Sequence, residues 1–402
     1  MREDWQTVKL EDVCSFKGGG TPAKGNESFW GGHIPWVSPK DMKLQFISNS
    51  QDKITEKAIQ NSSANLLPKD TLLVVVRSSI LARTIPLAIS RSPLTVNQDL
   101  KALLPNPELN VEFLYYALLA DKKNLLSKVT RGATVHRLQS ESLKNLEVTL
   151  PPLPEQERIV SILDKAFEGI DKAIAQTEQN LASARELFES YLNNIFTQKG
   201  EDWVEKKLGE VCDLKSGNSI SKSLEKETGD IIYAKVGDMN LEGNEVSITT
   251  SRRYVDKSDI KAQQIIPKGA IVFPKRGGAI ATNKKRKIIL PSIVDLNTMA
   301  VIPSRSIVSD YLFYWFKTVD LSELSNGMAI PQINNYSFDS VYIPHPIDLS
   351  EQYDIVAKLW GLSTETQKLE ALYTQKLNDL KELKQSLLQQ AFAGELTKED
   401  AA

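Results

Sequence analysis

The feature that most constrains the fold of this 402-residue chain is an internal repeat. Eight of the sixteen residues from position 4 to position 19 recur unchanged 198 positions later. The matched residues are Asp4, Trp5, Lys9, Leu10, Val13, Cys14, Lys17 and Gly19 in the first copy, and Asp202, Trp203, Lys207, Leu208, Val211, Cys212, Lys215 and Gly217 in the second. A repeat of this length indicates that one structural unit is used twice. We therefore expect two similar units of about 200 residues each.

The residue pattern of each half of the chain changes at a proline-rich segment. This segment is 148–154 (VTLPPLP) in the first half and 341–346 (VYIPHP) in the second. Before these prolines, short β-rich runs alternate with clusters of Gly, Pro, Asn and Ser around one helical stretch. This pattern predicts a mixed α/β globular domain in each half. We place the first domain at residues 1–150 and the second at residues 200–346.

Long helices are predicted after each proline segment, where apolar residues recur with alternating spacings of four and three. Ten of eleven such positions are apolar from residue 160 onward, and eight of eleven from residue 355 onward. Heptads sustained over this length are typical of coiled coils, and we place the two helices at residues 151–199 and 347–402. A long amphipathic helix packed on its own globule remains the alternative for each segment.

Charge and cysteine content exclude several classes of protein. The chain has 49 basic and 51 acidic residues and a net charge of −2, which argues against a protein that coats nucleic acid indiscriminately. Residues 155–199 and 347–402 carry −3 and −4, so the rest of the chain holds +5. Two cysteines are too few for a disulfide framework and suit a reducing compartment. With no signal peptide and no membrane span, we expect a cytoplasmic protein without a membrane partner.

Basic residues are segregated within the globular parts of the chain. No acidic residue lies in 71–98, 122–140 or 260–294, although each of these stretches contains several Lys or Arg residues. Segregated cations are suited to neutralising phosphates, so we predict that the chain binds double-stranded DNA. The alternative, that each stretch is only a solvated face, remains open.

Three loops are candidates for close approach to DNA. The KGGGTP loop from Lys17 offers peptide N–H groups beside a lysine, while Arg77 and Arg276 follow β-rich runs and are flanked by small residues. An arginine so placed can bind guanine O6 and N7 with both arms of its guanidinium, although a salt bridge at a strand end is the alternative. The candidate DNA-binding residues are Lys17, Gly19, Gly20, Thr21, Lys24, Arg77, Ser78, Ser79, Arg83, Arg131, His136 and Arg137 in the first copy, and Lys215, Ser219, Lys235, Lys275, Arg276, Gly277, Lys284, Lys285, Arg286 and Lys287 in the second.

Catalytic motifs are missing from the sequence. It contains no GxxxxGK[ST], HExxH or GxSxG motif and no paired CxxC, and its three histidines are scattered. We therefore predict a chain that is not an enzyme and that has no catalytic residue, metal site or cofactor site of its own. Cys14 and Cys212 occupy equivalent positions of the repeat, where we expect small buried apolar side chains. His345, between two prolines, is expected to be structural.

Four motifs together resemble the specificity subunit of a type I restriction-modification system. They are WxxxKLxxVC near the start of each half, the KGGGTP loop, IPWVSPKDM from Ile34, and LPPLPEQERIV from Leu150. The resemblance covers essentially the whole chain, and the proline-rich stop followed by Glu-Gln and a long helix is its most specific element. The second half departs from the pattern in two places, with KSGNSI from Lys215 and PHPIDLSEQ from Pro344.

The resemblance implies a fold and a set of partners. Two similar mixed α/β target recognition domains, related by an internal pseudo-two-fold repeat, would be separated by an antiparallel coiled coil of the two long helices. Each domain would read one half of a split DNA site, and because the two domains differ in sequence the site should be asymmetric. The family subunit recruits two methyltransferase subunits, which bind S-adenosylmethionine, and restriction (motor-endonuclease) subunits, which use ATP and magnesium.

The spacing of the site is expected to follow from helix geometry. A helix of roughly 40 residues spans about 60 Å, whereas DNA half-sites on one face recur every 34 to 36 Å or so. The coiled coil is therefore long enough to set the unread spacer. Two other functions remain open: a bipartite DNA-binding or adaptor protein that works without methyltransferase partners, and a nucleotide-dependent enzyme.

Overall fold

The computed structural model describes residues 5–327 and 329–398, so Asp4 of the repeat lies outside the described residues. The chain divides into two compact units. Unit 1 consists of Met1–Glu178 together with Gln375–Ala402, and unit 2 consists of Gln179–Thr374. Each unit therefore combines one globular part with a portion of both long helices.

Unit 1 is built mainly from short strands. They are β1 (Gln6–Lys9), β2 (Cys14–Gly18), β3 (Trp30–Val37), β4 (Phe46–Ile47), β5 (Asp52–Ile54), β6 (Leu72–Val75), β7 (Arg77–Ser78), β8 (Leu87–Ser90), β9 (Thr95–Val96), β10 (Leu100–Pro105), β11 (Val129–Thr130), β12 (His136–Leu138) and β13 (Glu147–Leu150). Its shorter helices are α1 (Leu10–Val13), α2 (Glu56–Gln60), α3 (Val111–Ala120), α4 (Lys122–Ser127) and α5 (Ser140–Lys144), and the first long helix is α6 (Leu153–Thr197).

Unit 2 repeats this arrangement with fewer elements. Its strands are β14 (Trp203–Lys207), β15 (Cys212–Ser216), β16 (Ile231–Ala234), β17 (Ser247–Ile248), β18 (Tyr254–Val255), β19 (Ile271–Pro274), β20 (Arg286–Ile288), β21 (Ser292–Val294), β22 (Thr298–Pro303) and β23 (Tyr342–Pro346). Its helices are α7 (Leu208–Val211), α8 (Ser309–Thr318) and the second long helix, α9 (Leu349–Phe392). Short 3-10 helices connect many elements of both units. In unit 1 they are Glu27–Phe29, Pro39–Asp41 and Ser79–Ala82, and in unit 2 they are Lys222–Leu224, Val236–Asn240, Lys257–Asp259, Ala262–Gln264, Gly277–Thr282 and Asn335–Phe338.

A five-stranded sheet forms the frame of each unit, and the strand order is the same in both. The order is β2-β10-β6-β8-β4 in unit 1 and β15-β22-β19-β20-β17 in unit 2. The register also agrees, since Leu103 lies opposite Leu72 in unit 1 and Val301 lies opposite Ile271 in unit 2. Residues at corresponding places in the two sheets can therefore be compared one by one.

Smaller sheets complete each unit. Unit 1 has the three-stranded sheets β5-β3-β9 and β11-β12-β7 and the pair β1-β13, while unit 2 has the three-stranded sheet β18-β16-β21 and the pair β14-β23. Where unit 1 has β11-β12-β7, the described part of unit 2 has a single antiparallel bridge between Arg276 and Gln332. This is the main difference between the two frames.

The sheets are covered by α3 in unit 1 and by α8 in unit 2. Both helices are rich in aromatic residues, and Tyr116 of α3 and Tyr311 of α8 are almost fully buried. Cys14 and Cys212 lie at equivalent strand starts, and burial raises the pKa of each thiol to about 12. The expectation that both cysteines act as small buried side chains is confirmed by their 5% exposure.

A buried glutamine fixes the start of each long helix. Gln156 accepts a hydrogen bond from Asn110 N (2.8 Å) and donates to Glu108 O (2.9 Å) and Pro151 O (2.8 Å). Its side chain therefore joins the first turn of α6 to the loop that begins α3.

Gln352 makes the same three bonds in unit 2. Its amide oxygen accepts from Val308 N (2.8 Å), and its nitrogen donates to Ser306 O (3.0 Å) and Pro346 O (2.9 Å). The glutamine of the Glu-Gln pair after each proline segment thus has a structural role. Its fully buried amide satisfies three backbone groups where strand, loop and helix meet.

Within each unit the two long helices run antiparallel. In unit 1, Lys384 pairs with Asp171 and Thr397 donates to Glu155, so residue numbers rise along α6 as they fall along the second helical segment. In unit 2, Arg185 pairs with Glu370. The core of unit 2 also contains residues from both helices, namely Leu192, Phe196, Ile355 and Leu359.

The buried stripe of each helix drifts away from strict heptad spacing. Tyr191 and Leu383, which fall on the heptad spacing of the two helices, are 37% and 46% exposed, whereas Leu192 and Leu388, each one residue after a heptad position, are buried. An α-helix has 3.6 residues per turn, so a seven-residue repeat drifts around its surface by about 20° per heptad unless the helix supercoils. Leu192 and Leu388 each pack into the core of their own unit. The long helices therefore pack against each other, as predicted for a coiled coil, and also against the globular part of each unit, as in the alternative.

The predicted fold class is confirmed: two similar mixed α/β domains with two long helices. Helix α6 agrees with the predicted 151–199 to within two residues at each end. Helix α9 begins two residues after the predicted start at 347 but ends at Phe392, and residues 393–398 do not continue the α-helix. Among the helices of residues 5–327 and 329–398, none has the length and apolar character needed to cross a membrane.

Candidate DNA interface

Arg77 lies where two sheets of unit 1 meet. It follows the buried strand β6 and forms β7, which pairs with β12 so that Arg77 lies opposite Arg137. Its backbone N–H donates to Asp99 O (3.2 Å), and its guanidinium Nη1 lies 3.8 Å from Asp99 Oδ1. The side chain is 44% exposed, so Arg77 can reach a ligand while one carboxylate lies beside it.

Arg276 occupies the equivalent place in unit 2. It follows β19, is exposed, and forms an antiparallel bridge with Gln332. Gly277, the next residue, has a φ of 73° and donates its N–H to Pro331 O at 2.8 Å. A positive φ favours glycine, so Gly277 allows the turn that keeps Arg276 at the end of the strand. Within the described residues, the side chain of Arg276 has no ion pair.

A groove of about 340 Å³ opens beside Arg77. Its lining residues are Pro39, Arg77, Ser78, Ser79, Gln98, Asp99, Thr134 and Val135. Thr21 of the glycine-rich loop is hydrogen-bonded to Gln98. The sequence predicted Thr21, Arg77, Ser78 and Ser79 as separate candidates, and the structure brings them to one place.

Close packing explains Gly19 and Gly20 of the first loop. A Cβ at Gly19 would lie 2.0 Å from Asn97 O, and one at Gly20 would lie 2.4 Å from Ser63 O. Gly20 donates its N–H to Val96 O at 3.0 Å, so this amide is not available to a phosphate. In unit 2, a Cβ at Gly217 would meet Asp295 O at 2.1 Å. The expectation of unencumbered N–H groups was wrong for Gly20.

Several candidates of unit 1 are exposed around this region. Lys17, Lys24, Arg83, Arg131 and Arg137 all have exposed side chains. Within the described part of the chain, Arg137 has neither an ion pair nor a side-chain hydrogen bond. The partly buried His136 lies opposite Ser78, and its Nδ1 has no hydrogen-bond partner in the described structure.

The basic run of unit 2 has a different environment from the one expected. Lys285 is only 5% exposed and donates to Val319 O and Asn283 Oδ1, and burial lowers its pKa to about 8. Arg286 donates to Lys285 O (2.9 Å) and Met239 O (3.0 Å). These two cations cap carbonyl groups, so the structure does not leave them free for the phosphate contacts that the sequence suggested.

The other residues of the run are also engaged. Lys287 pairs with Asp310 at 2.7 Å, and Lys284 donates to Asn240. A cavity of about 500 Å³ lies beside them, with Glu189 and Glu245 in its wall as well as Lys317. The run 284–287 is therefore mostly part of the packing between β20, α8 and the adjacent loops.

The remaining candidates of unit 2 lie in β15 or in the segments that follow β15, β16 and β19. Lys215 donates to Ile265 O (3.0 Å), Lys275 donates to Ser216 Oγ (2.9 Å), and Lys235 pairs with Glu225 (2.8 Å). Ser219, in the loop equivalent to KGGGTP, is exposed. Arg276 and Ser219 thus remain the exposed candidates of this copy.

Sequence reasoning missed the residue across from Arg276 and two polar residues of the groove beside Arg77. Gln332 faces Arg276, and Gln98 and Thr134 line the groove beside Arg77. None of them is basic, and each is more than ten residues away in sequence from the arginine that it approaches. A search for clusters of positive charge could not find them.

Comparison with known proteins places the chain in a family. The model described as "Type I restriction modification DNA specificity domain" matches twice, at residues 2–181 and 200–381. The MjaIX specificity subunit of Methanocaldococcus jannaschii is 26% identical over 425 residues, covering 99% of this chain and 95% of that protein. The EcoR124I/EcoR124II specificity subunit of Escherichia coli is 35% identical over 197 residues, or 48% of each chain.

Solved structures show the same fold. A chain from a structural study of type I R-M complex assembly matches with a TM-score of 0.80 and 20% identity, over 98% of this chain and 99% of its own. The HsdS subunit from Thermoanaerobacter tengcongensis matches with a TM-score of 0.61 and 20% identity, over 98% of each chain. With its two matched domains, this chain belongs to the type I restriction-modification DNA specificity family and is a non-catalytic specificity subunit.

Proposed function

We propose that this chain reads a bipartite, asymmetric DNA site, one half with each domain. Unit 1 would read its half-site through the groove at Arg77, and unit 2 through the region around Arg276. The two half-sites differ because the residues around the two arginines differ. In this proposal the chain carries no cofactor, and partner subunits perform the chemistry.

The observation that supports this proposal most strongly is the equivalence of the two arginines. Arg77 and Arg276 each follow the same strand of a duplicated sheet, and each is exposed beside a loop packed on glycine. A guanidinium can form two parallel hydrogen bonds with guanine O6 and N7 in the major groove. One such donor per domain is what a split recognition site requires.

The two long helices are proposed to set the unread spacer. They have 45 and 44 residues, and at 1.5 Å per residue each is about 65 Å long. Half-sites on one face of DNA recur at about 34 to 36 Å. The helices are long enough to bridge that interval and still leave length for a partner.

Methyltransferase subunits are the partners that we propose for the exposed face of the helices. Two large aromatic side chains of α9, Tyr353 at 61% and Trp360 at 66%, are exposed and lie seven residues apart, which places them on one face of the helix. Exposed apolar residues grouped on an element commonly mark a protein interface. Two methyltransferase subunits with S-adenosylmethionine, and restriction subunits with ATP and magnesium, would complete an assembly that works on DNA in the cytoplasm.

Reconstitution tests the proposal. The purified chain alone should have no methyltransferase, nuclease or ATPase activity, and the chain with its cognate methyltransferase subunits should methylate adenine at one site. Robust methyl transfer by the chain alone would contradict the proposal. If the methyltransferase subunits do not co-purify with the chain, the alternative of a stand-alone bipartite DNA-binding or adaptor protein is favoured.

Substitution of the two arginines tests the role of each domain. Arg77→Ala and Arg276→Ala should each weaken specific binding by about 1 to 3 kcal/mol and relax one half-site only. Arg305→Ala is the matched control, because Arg305 is exposed beyond the opposite end of β22 from Arg276. A lower melting temperature with unchanged DNA affinity would instead assign the arginines a structural role.

A further inference from the structure

Each of the two arginines has a partner directly across a strand pair, and the two partners differ chemically. Arg77 lies opposite Arg137, whereas Arg276 lies opposite Gln332. The positions are equivalent because the next residue docks in the same way in both units: Leu138 N donates to Val76 O (2.9 Å) and Ile333 N donates to Lys275 O (2.9 Å).

In unit 1 the pair consists of two like charges. Residues directly opposite in an antiparallel pair have Cβ atoms about 4.5 to 5.5 Å apart on one face, and like charges there are destabilising. Both side chains are exposed, and the nearest carboxylate in the described structure is that of Asp99, 3.8 Å from Arg77. Arg137 has no ion pair among the described residues. The pair is therefore poorly compensated in the free protein.

In unit 2 the equivalent cross-strand pair, Arg276 and Gln332, has one neutral member. Gln332 presents an amide, and its Nε2 donates to Asn334 Oδ1 at 3.1 Å. The register of the sheet puts Asn297 where unit 1 has Asp99, since Asn297 O accepts from Lys275 N (2.8 Å) as Asp99 O accepts from Val76 N (2.8 Å). The carboxylate of Asp99 in unit 1 is therefore replaced by the amide of Asn297 in unit 2.

This difference matches the chemistry of base edges. Two arginines offer only donors and suit guanine, whose O6 and N7 are acceptors, while a glutamine offers a donor and an acceptor and suits adenine N7 and N6. Neighbouring bases of one strand lie about 3.4 Å apart along the helix axis, a spacing that two long side chains on adjacent strands can span. Each cross-strand pair is therefore able to address two adjacent base pairs.

We propose that Arg137 and Gln332 are specificity-determining residues, so that the pair in unit 1 reads two guanines and the pair in unit 2 reads a guanine and an adenine. This inference rests on the proposed function, because it assumes that each unit reads one half-site. It adds the identity of the second reader and the class of base that each half-site contains.

The test exchanges the two partners in the complete complex with its methyltransferase subunits. Arg137→Gln and Gln332→Arg are compared with the unaltered chain on a library of DNA sites, by binding selection and by methylation sequencing. Arg137→Gln should change one guanine preference toward adenine in one half-site, and Gln332→Arg should change one adenine preference toward guanine in the other. Affinity for the original site should fall roughly 10- to 100-fold in each case.

A matched control separates base reading from general charge. Arg305→Gln removes an exposed cation at the opposite end of β22 from Arg276 that is not part of either cross-strand pair, and it should leave the base preferences unchanged. Arg137→Lys keeps the charge without the planar fork, so it should retain binding to nonspecific DNA but lose discrimination at one position.

Several results would overturn the inference. Unaltered preferences in both exchange variants would do so, and so would a uniform loss of affinity for all sequences with a shallower salt dependence, which would make these residues phosphate contacts. Arg137→Gln should also raise the melting temperature of the free protein slightly, because it removes a like-charge pair, and destabilisation would contradict that reading. If the unaltered complex binds no specific DNA, the proposed function itself fails.

Discussion

Lys285 illustrates how the same position of the duplicated sheet acquires different chemistry in the two units. Lys287 lies opposite Ile271 as Ile89 lies opposite Leu72, so Lys285 takes the place that Leu87 has in unit 1. Its long apolar stem replaces part of the leucine, and its ammonium lies 5.5 Å from the ring centroid of Phe316. A run of basic residues can therefore serve packing as well as DNA binding.

Burial of Lys285 gives a pH dependence that can be measured. Its pKa is about 8 in the folded protein and 10.5 when unperturbed, so between these values the unfolded chain binds a proton that the folded chain does not. The free energy of unfolding should therefore rise as pH increases from about 8 to 10.5, by on the order of 3 kcal/mol. Below pH 8 this gain is absent.

Urea unfolding at a series of pH values measures the effect, with Lys285→Met as the comparison. The variant has no titrating group at this position and should have a flatter stability profile over the same pH range. Lys284→Met is a matched control, because Lys284 has a less buried side chain in the same run. Parallel profiles for the unaltered chain and Lys285→Met would mean that Lys285 titrates like an exposed lysine.

At the scale of elements, the start of each long helix depends on one buried amide. In unit 2, Gln352 satisfies the N–H of Val308 and the carbonyl groups of Ser306 and Pro346. Removing the amide takes away the partner of the Val308 N–H and of the Ser306 carbonyl, whereas Pro346 O still lies 2.9 Å from His345 Nδ1. A buried backbone group left unsatisfied costs about 1 to 3 kcal/mol. The glutamine therefore holds α9 against α8 and β23.

We expect Gln352→Leu to lower the free energy of unfolding by about 3 kcal/mol or more. Gln367→Leu, at an exposed position of the same helix, should change it by less than about 0.5 kcal/mol. Denaturant unfolding of both variants measures the difference. Equal stability of the two variants would show that the hydrogen bonds of Gln352 contribute nothing to docking of the helix.

Both long helices and the duplicated α/β domains could be predicted from the sequence, because heptads and repeats are local or periodic patterns. The drift of the buried stripe from Tyr191 to Leu192 could not, since it depends on where the helix packs on its sheet. The pairing of Arg77 with Arg137 was also inaccessible, because it joins residues separated by sixty positions. Positive charge in the sequence likewise could not show that Lys285 and Arg286 donate to the carbonyl groups of Val319 and Met239, which are distant from them along the chain.

At the scale of the whole molecule, one frame is used twice with different residues at the same places. The two five-stranded sheets share strand order and register. The position of Arg137 in unit 1 is occupied by Gln332 in unit 2, and the position of Asp99 is occupied by Asn297. Duplication conserves the fold while the exposed positions are free to change. Two readers of different DNA sequences can arise in this way from one structural unit.

Such a construction predicts independent half-sites. Replacing residues 1–150 with the equivalent segment of a relative should change the half-site that unit 1 reads and leave the other half-site and the spacer intact. Methylation of a site library by the chimeric complex measures both halves in one experiment. A simultaneous change of both half-sites would contradict independent reading by the two domains.

Bipartite reading by the two domains can be measured by single-molecule methylation sequencing of DNA from cells that carry this chain together with its cognate methyltransferase subunits. We predict one methylated motif with two specified, non-identical half-sites separated by an unread spacer of fixed length. A continuous motif, a palindrome with identical halves, or methylation without sequence preference would contradict bipartite, asymmetric reading by the two domains.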